Sequence, residues 1–420
     1  MKHAFNPVRI ATGKYGILLL TALNVCLACL AVTLSNLWAY VHIGRPDANT
    51  DYITFFLPDY RFGFVSRALI GSIIYLFTKH PTVRMITNLV IICTIICSVL
   101  LCFLQAQIAK KALLRADYAT LLLSYLFFLN IGFWWNFFGS FGLLDVFLTL
   151  LSLLFLLCIE NKRRLGFCLA PIVCFVGLLI HTAYFLVGFP VLAAILWYEL
   201  LKNGKPSRKA AVLFAVSCVL SVALFLLFTM FPQRLMRFDS ATMLAMVREK
   251  YSGQVQEHYY ITHMFRSDGK RYTDTISVAG FLGNTGDGIN FFSDKIIRHL
   301  LNVLVLSAPL FYGCVYHARR SGNRLIAYLG FLAPFVALFP SLYFSTDKER
   351  FFSLCILAEF MLLHYISTQS DVRFLPSDAD PPKKKLSAYE TRRRKEKFDR
   401  TLIVCAIAGL AFTLIGTQKL

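Results

Sequence analysis

The sequence predicts an all-α fold, a polytopic integral membrane bundle of about 11 spans with interfacial helices in the first outer loop. Two observations carry this. Of 420 residues, 57% are hydrophobic and only 16% charged, against about 25% charged in soluble domains, and the mean hydropathy is +0.61. The apolar residues also fall in long uninterrupted runs, many of which reach the roughly 20 residues a helix needs to cross the hydrocarbon core. Lipid offers the backbone no hydrogen-bonding partner, so only helices or closed barrels cross it, and these runs lack the alternation of barrel strands.

Taken in chain order, spans are expected at 16–43, 85–107, 117–133, 143–159, 165–183, 184–201, 211–231, 299–316, 325–343, 351–367 and 401–417. With the N-terminus inside, the runs Lys110/Lys111/Arg115, Lys162/Arg163/Arg164, Lys202/Lys205/Arg208/Lys209 and Arg319/Arg320/Arg324 all lie on the inner side, in the short loops where the positive-inside rule has force. Lys383–Lys385 and Arg392–Arg394 join them from the tail. The net charge of +20 is therefore mainly a sign of topology. No zinc-finger, RNA-recognition or helix-turn-helix pattern points to nucleic acid. This arrangement requires that 63–80, FGFVSRALIGSIIYLFTK, does not cross. It is barely long enough and carries Ser66 and Arg67, so it reads as interfacial or re-entrant.

Residues 1–367 then form the bundle, with outer loops at 44–84 and 232–298. A basic inner segment, 368–400, suits anionic headgroups, and 401–420 holds a terminal span. In the second outer loop SATMLAMVREKY predicts a helix. GFLGNTGDGINFF lacks the lysine of a phosphate-binding loop and reads as turns. All twelve cysteines sit in apolar runs, where they behave as small hydrophobes.

The polar residues that remain gather on the outer side. The first outer loop supplies Asp47, Asp51 and Asp59 with Arg45, Arg61 and Arg67, interleaved with aromatics. Carboxylates there can deprotonate an acceptor hydroxyl or hold a divalent cation, and arginines can clamp a phosphate with two parallel bonds. Solvated surface ion pairs are the plainer reading. Asp145 opens the fourth span, where it serves either a site or the helix dipole. Trp134, Trp135 and Asn136 before it read as an interfacial aromatic belt. His181 lies near the outer end of its span, either packing or contacting substrate. Arg266, Lys270 and Arg271 follow His258 and His263, which lack zinc-site spacing. Asp347 and Arg350 form a short polar plug, TDKER, between two apolar runs.

An acidic first outer loop flanked by interfacial helices and followed by a bundle resembles the GT-C superfamily of membrane glycosyltransferases. The matching residues are Asp47, Asp51 and Asp59 and the FGFVSRALIG segment. LLDVFLTLL, LLIHTAYF and the TDKER plug are similar to stretches of bacterial polysaccharide-assembly membrane proteins. The resemblance covers roughly 16–367. It implies a lipid-linked sugar as donor, an essential acid in the first outer loop, and a site facing outward from a bacterial cytoplasmic membrane. The loop has no acidic-x-acidic pair and the chain no WWDYG-type signature, so the catalytic acid and any metal stay open.

The expected function is a glycosyltransferase or polysaccharide polymerase of the cell envelope that uses a polyprenyl-(di)phosphate-linked sugar. Asp59, Asp51 or Asp47 would be the base, and Arg61, Arg67, Arg266, Lys270, Arg271 and Arg350 candidates for the phosphate. Asp145, His181 and Asp347 would orient the acceptor. Membrane lipids and envelope-assembly proteins are the expected partners, with a divalent cation as a possible cofactor. A transporter or flippase of a lipid-linked saccharide or other anion, and a non-catalytic assembly partner, are the alternatives.

Overall fold

The computed structural model describes residues 13, 15–42, 55–115, 117–129, 133–134, 137, 144–201, 207–251 and 348–369. Among these the regular structure is helical throughout, with no strand. The helices are α1 (Gly16–His42), α2 (Ala68–Phe77), α3 (Val83–Leu114), α4 (Tyr118–Phe128), α5 (Asp145–Asn161), α6 (Arg163–Ile180), α7 (Tyr184–Leu201), α8 (Arg208–Met230), α9 (Ser240–Lys250) and α10 (Lys348–Gln369). Single turns at Tyr60–Phe62 and Pro232–Leu235 complete the order. The spans expected at 299–316, 325–343 and 401–417 and most of the basic tail lie outside the described residues.

Among the described residues, four helices carry stretches long and apolar enough to cross a bilayer: Gly16–Thr33, Val83–Leu114, Arg163–Ile180 and Arg208–Thr229. Their exposed faces are apolar, with Leu18 and Leu23 on α1, Ile92 and Ile95 on α3, and Val212 and Val219 on α8. Such faces suit lipid as solvent and would be a liability in water. This is a helical membrane protein. The segment suspected of not crossing contains α2, which has only 10 residues and so reaches about 15 Å, half the hydrocarbon thickness.

Local chemistry sets the helix ends. Thr82 caps α3 by accepting from the Met85 N–H at 3.3 Å, and Asp117 caps α4 through the Thr120 N–H at 3.2 Å. A single residue, Lys162, separates α5 from α6, and His181–Ala183 separate α6 from α7, so these three run as consecutive antiparallel hairpins. Tyr184 fills the second hairpin. A Cβ on Gly177 or Gly188 would lie 2.4 or 2.1 Å from its ring, so both glycines are needed for the ring to seat. α3 packs on α1, α4, α5 and α10, α6 packs on α5, α7 and α8, and α10 also reaches α7.

The interior is not wholly apolar. Asn24 donates to the Cys102 carbonyl at 3.1 Å and accepts from Tyr125 Oη at 2.8 Å, while Gln105 donates to Ser124 Oγ at 2.9 Å. These bonds join α1, α3 and α4 where the surroundings are otherwise hydrocarbon. Trp134 corrects the aromatic-belt reading. It is fully buried, packed edge-to-face on Phe128 and Phe133, with its indole N–H on the Phe128 carbonyl at 2.6 Å. Of the cysteines, Cys93, Cys97, Cys102 and Cys174 are buried, Cys26, Cys29 and Cys168 face outward, and those described are free thiols.

Candidate functional site at the loop end of the bundle

One end of the bundle is roofed by residues 55–78, with the start of α5, the end of α6 and the end of α8 beneath them. Phe56 meets Phe147 edge-to-face at 5.8 Å, and Phe64 meets Phe228 at 5.4 Å. Ser66 Oγ donates to the Leu178 carbonyl at 3.2 Å and the Arg67 N–H to the Leu179 carbonyl at 2.9 Å. The Leu178 and Leu179 carbonyls belong to the last turn of α6, where a helix has acceptors left over. The loop thus completes the helix that ends at His181.

Within this roof the chain doubles back on itself. Residues 55–62 lie against α2 so closely that a Cβ on Gly71 would sit 1.8 Å from the Pro58 carbonyl oxygen. Tyr60 N donates to Ser72 Oγ at 2.9 Å, which returns a bond to the Ala68 carbonyl at 2.7 Å. Gly63, at φ +118°, forms an isolated antiparallel bridge with Met236, and the Arg237 N–H donates to the Phe62 carbonyl at 2.7 Å. A Cβ there would meet the Leu235 carbonyl at 2.1 Å, so only glycine fits in both space and conformation. Arg67 is the one described non-glycine residue at positive φ, at 71°. It turns the chain into α2 and lays its guanidinium 5.3 Å from the centre of the Phe55 ring. A non-glycine residue in that region stores strain, and such positions concentrate at functional sites.

Asp59 is almost fully enclosed and its carboxylate is spoken for. One oxygen accepts from the Arg61 N–H at 2.8 Å, which caps the turn Tyr60–Phe62. The Arg61 guanidinium then closes on both oxygens, Nε at 2.8 and 2.9 Å and the terminal nitrogen on the second. The Arg61 side chain is 43% exposed while the Asp59 side chain is 3% exposed, so the pair presents its cation to the outside. The carboxylate holds the Arg61 guanidinium further above its already high range. The same guanidinium lies 4.6 Å from the centre of the Tyr75 ring, and Lys250 Nζ meets that ring at 5.7 Å.

Burial pushes the Tyr75 and Tyr60 phenols up to about 12, so both stay neutral and able to donate. The buried Tyr60 hydroxyl has no hydrogen-bond partner among the described residues. Beside it a groove of about 460 Å³ is lined by Tyr60, Gly63, Phe64, Leu235, Met236 and Arg237. Arg234 lies on Phe231 at 5.3 Å nearby. α9 delivers Lys250: Asp239 caps it by accepting from the Thr242 N–H at 2.7 Å, and Met243, Leu244 and Val247 bury one face.

Asp145 and His181 belong to this end too. Asp145 is buried in the first turn of α5, where its charge faces the positive end of the helix dipole. His181 is buried at the end of α6, and its Nδ1 accepts from the Ala183 N–H at 2.9 Å, which puts the ring proton on Nε2. The structure therefore brings Asp59, Arg61, Arg67, Asp145 and His181 to one end. Asp47, Asp51, Arg266, Lys270, Arg271 and Asp347 lie outside the described residues, and Arg350 is described only as part of the first turn of α10. Among the described residues no group of three or more His, Cys, Asp or Glu side chains is placed to hold a metal ion.

Sequence reasoning missed Tyr60, Tyr75, Arg237 and Lys250 as parts of this site. Lys250 and Arg237 lie more than 170 residues from Tyr75 and Gly63, and no local pattern announces a pairing that the bridge at Gly63 creates. No family model, curated protein or solved structure matches the chain.

Proposed function

We propose that this protein is a membrane glycosyltransferase or polysaccharide polymerase that takes its sugar from a polyprenyl-(di)phosphate donor at the outer face of a bacterial cytoplasmic membrane. The finer topology goes with this reading: about 11 spans, the loop end outward and the basic tail inward. The observation that carries it is the half-exposed Arg61, forked onto an enclosed Asp59 beside a groove with a spare phenol donor. Arg61, Arg237 and Lys250 supply positive charge where a lipid phosphate would sit, next to exposed Leu76 and Phe77 on α2 that suit the acyl boundary.

Glycosyl transfer from such a donor needs positive charge on the departing phosphate and a base for the acceptor hydroxyl. In the resting arrangement Asp59 has no uncommitted oxygen. A donor phosphate that draws the Arg61 fork onto itself would free Asp59, so donor binding and base activation become one event. Asp51 and Asp47 are the other candidates for the base. Arg67 positions α2, while Asp145 and His181 lie where an acceptor would be held.

Donor-dependent transfer in proteoliposomes tests this. Arg61→Lys keeps the charge but loses the fork, and transfer should fall about tenfold or more with the fold intact. Asp59→Asn should cost about 10²–10⁴-fold if Asp59 is the base. Normal transfer by both variants, or no transfer by the wild type with any lipid-linked sugar, would overturn the proposal. A transporter of a lipid-linked anion is the second reading. It is favoured by the polar groups inside the bundle, Asn24, Gln105 and Glu359. Donor movement without transfer would select it.

A further inference from the structure

Hydroxyls on the long helices turn back onto their own backbone, and Thr149 on α5 is an exception. Thr94, Ser98, Ser152, Ser217 and Ser221 each donate to the carbonyl oxygen four residues earlier, at 2.7–2.9 Å. That bond is how a serine or threonine satisfies itself among apolar neighbours. Thr149 is only 3% exposed, yet its Oγ1 has no hydrogen-bond partner among the described residues. At the far end of the bundle, opposite the loop, buried polar groups answer one another instead. There Glu160 meets His364 at 2.9 Å and Glu199 meets Arg163 at 2.8 Å.

Other buried oxygens lie around Thr149. Asp145, Thr149 and Ser152 stand at i, i+4 and i+7 and so share one stripe of α5. Asp145 is buried at the head of that stripe, under the roof. Ser152 Oγ reaches back to the Leu148 carbonyl, which brings it to about the level of Thr149. Tyr184 comes to the same place from α7, which packs on α5. Gly177 and Gly188 crowd its ring, so the phenol is fixed in position. The residue is fully enclosed, and its hydroxyl ends beside Ser152 without a well-formed hydrogen bond to any described residue.

Carboxylate and hydroxyl oxygens are hard ligands, which suit alkali and alkaline-earth cations rather than softer metals. On a helix the β-carbons of i and i+4 stand about 5–6 Å apart. Two oxygens on opposite sides of a cation stand about 5 Å apart. Asp145 and Thr149 are therefore spaced for one ion between them. A divalent ion held by a single carboxylate would leave a net charge in an enclosed place, and a monovalent ion would not. A bridging water would satisfy the two hydroxyls. Only a cation draws the carboxylate and the lone pairs of all three hydroxyls to one point.

We propose that Asp145, Thr149, Ser152 and Tyr184 form a binding site for one monovalent alkali cation, set between α5 and α7 beneath the roof. Asp145 supplies the charge, and the three hydroxyls supply the rest of the protein's oxygen ligands. A bound ion joins α5 to α7 at the loop end, as ion pairs join helices at the far end. The inference does not depend on the glycosyltransferase reading, since its readout needs neither donor nor acceptor.

Binding of ²²Na⁺, and of ⁸⁶Rb⁺ as a stand-in for potassium, to the full chain in detergent micelles tests it. Thermal unfolding in NaCl, KCl and choline chloride at equal ionic strength goes beside it, so that general screening cancels. Wild type should bind about one alkali ion per chain, saturably, and unfold later in that ion's chloride than in choline chloride, because a ligand held only by the folded state stabilises it. Thr149→Val keeps the shape and removes one hydroxyl, and Tyr184→Phe removes the other. Each should weaken the binding about tenfold or more and shrink the difference between salts. No saturable binding of either ion, with equal midpoints in all three salts, would mean a bridging water only and overturns the proposal. Binding that both variants keep in full overturns it as well. Should Thr149→Val fail to fold, Tyr184→Phe and the wild-type comparison of salts decide by the same outcomes.

Discussion

The two ends of this bundle handle charge in opposite ways. At the far end the charges that reach the bundle are matched inward: Arg163 to Glu199, Glu160 to His364, and Arg115 to a backbone carbonyl. At the loop end the carboxylate is inside and the guanidinium outside, with Lys250 laid on an aromatic face and Arg237 lining an open groove. A cation already surrounded by protein acceptors fastens helices together. One held from behind, with its outer face free, offers itself to an anion. This difference, rather than the number of charges, is why the loop end is read as the site and the far end as a fastening.

Substitutions can break this contrast, and the largest effect is expected in the backbone of the roof. Gly71→Ala would put a carbon 1.8 Å from the Pro58 oxygen. No flexible side chain is available to yield, so overpacking of about 1–3 kcal/mol or more is expected. The thermal midpoint in detergent should drop, and Arg61 and Tyr75 should lose their relation. A midpoint equal to wild type would mean that the loop does not lie on α2. Next comes Glu199→Gln at the far end, which leaves Arg163 without its counter-charge. Arg163 is 37% exposed and water can take up part of the loss, so about 1–3 kcal/mol is expected, with transfer activity per folded molecule unchanged. If transfer fell while stability held, the division between the two ends would be wrong.

The smallest effect concerns the cap that positions Lys250. The Thr242 N–H and hydroxyl hold the Asp239 carboxyl below its usual range. A depressed acid stabilises above its unfolded value of about 3.9 and loses that contribution as pH falls through the lower folded value. Hydrogen-exchange protection of α9 should therefore hold at neutral pH and fade only in acid. Asp239→Asn, which caps without a charge, should fade less. Equal acid sensitivity in both would sever α9 from its cap.

Much of the fold was legible because lipid is a demanding solvent. A chain that must satisfy its backbone inside hydrocarbon has few options, so the apolar runs announce α1, α6 and α8 within a few residues, α7 at 184–201 as expected, and α3 except that it runs seven residues further than the expected span. The short segment with Arg67 in it was expected not to cross, and its helix has only 10 residues. Asp59, Asp145 and His181 were legible as polar residues near helix ends. Their roles were not, since capping, pairing and catalysis need the same residue types.

What only the tertiary structure decided is who meets whom. Arg163 reads in sequence as one more inner-side basic residue, yet packing turns it onto Glu199. Trp134 reads as an interfacial aromatic, yet α4 and its neighbours enclose it completely. Gly63 looks like an ordinary loop glycine until Met236 bridges it, and that bridge brings Arg237 beside Tyr60. Periodicity and hydropathy are properties of neighbouring residues and survive in the sequence. The pairing of Asp59 with Arg61 is local and could have been suspected. The meeting of Tyr75 with Lys250, or of Glu160 with His364, depends on how separate helices pack, and no stretch of sequence contains both members.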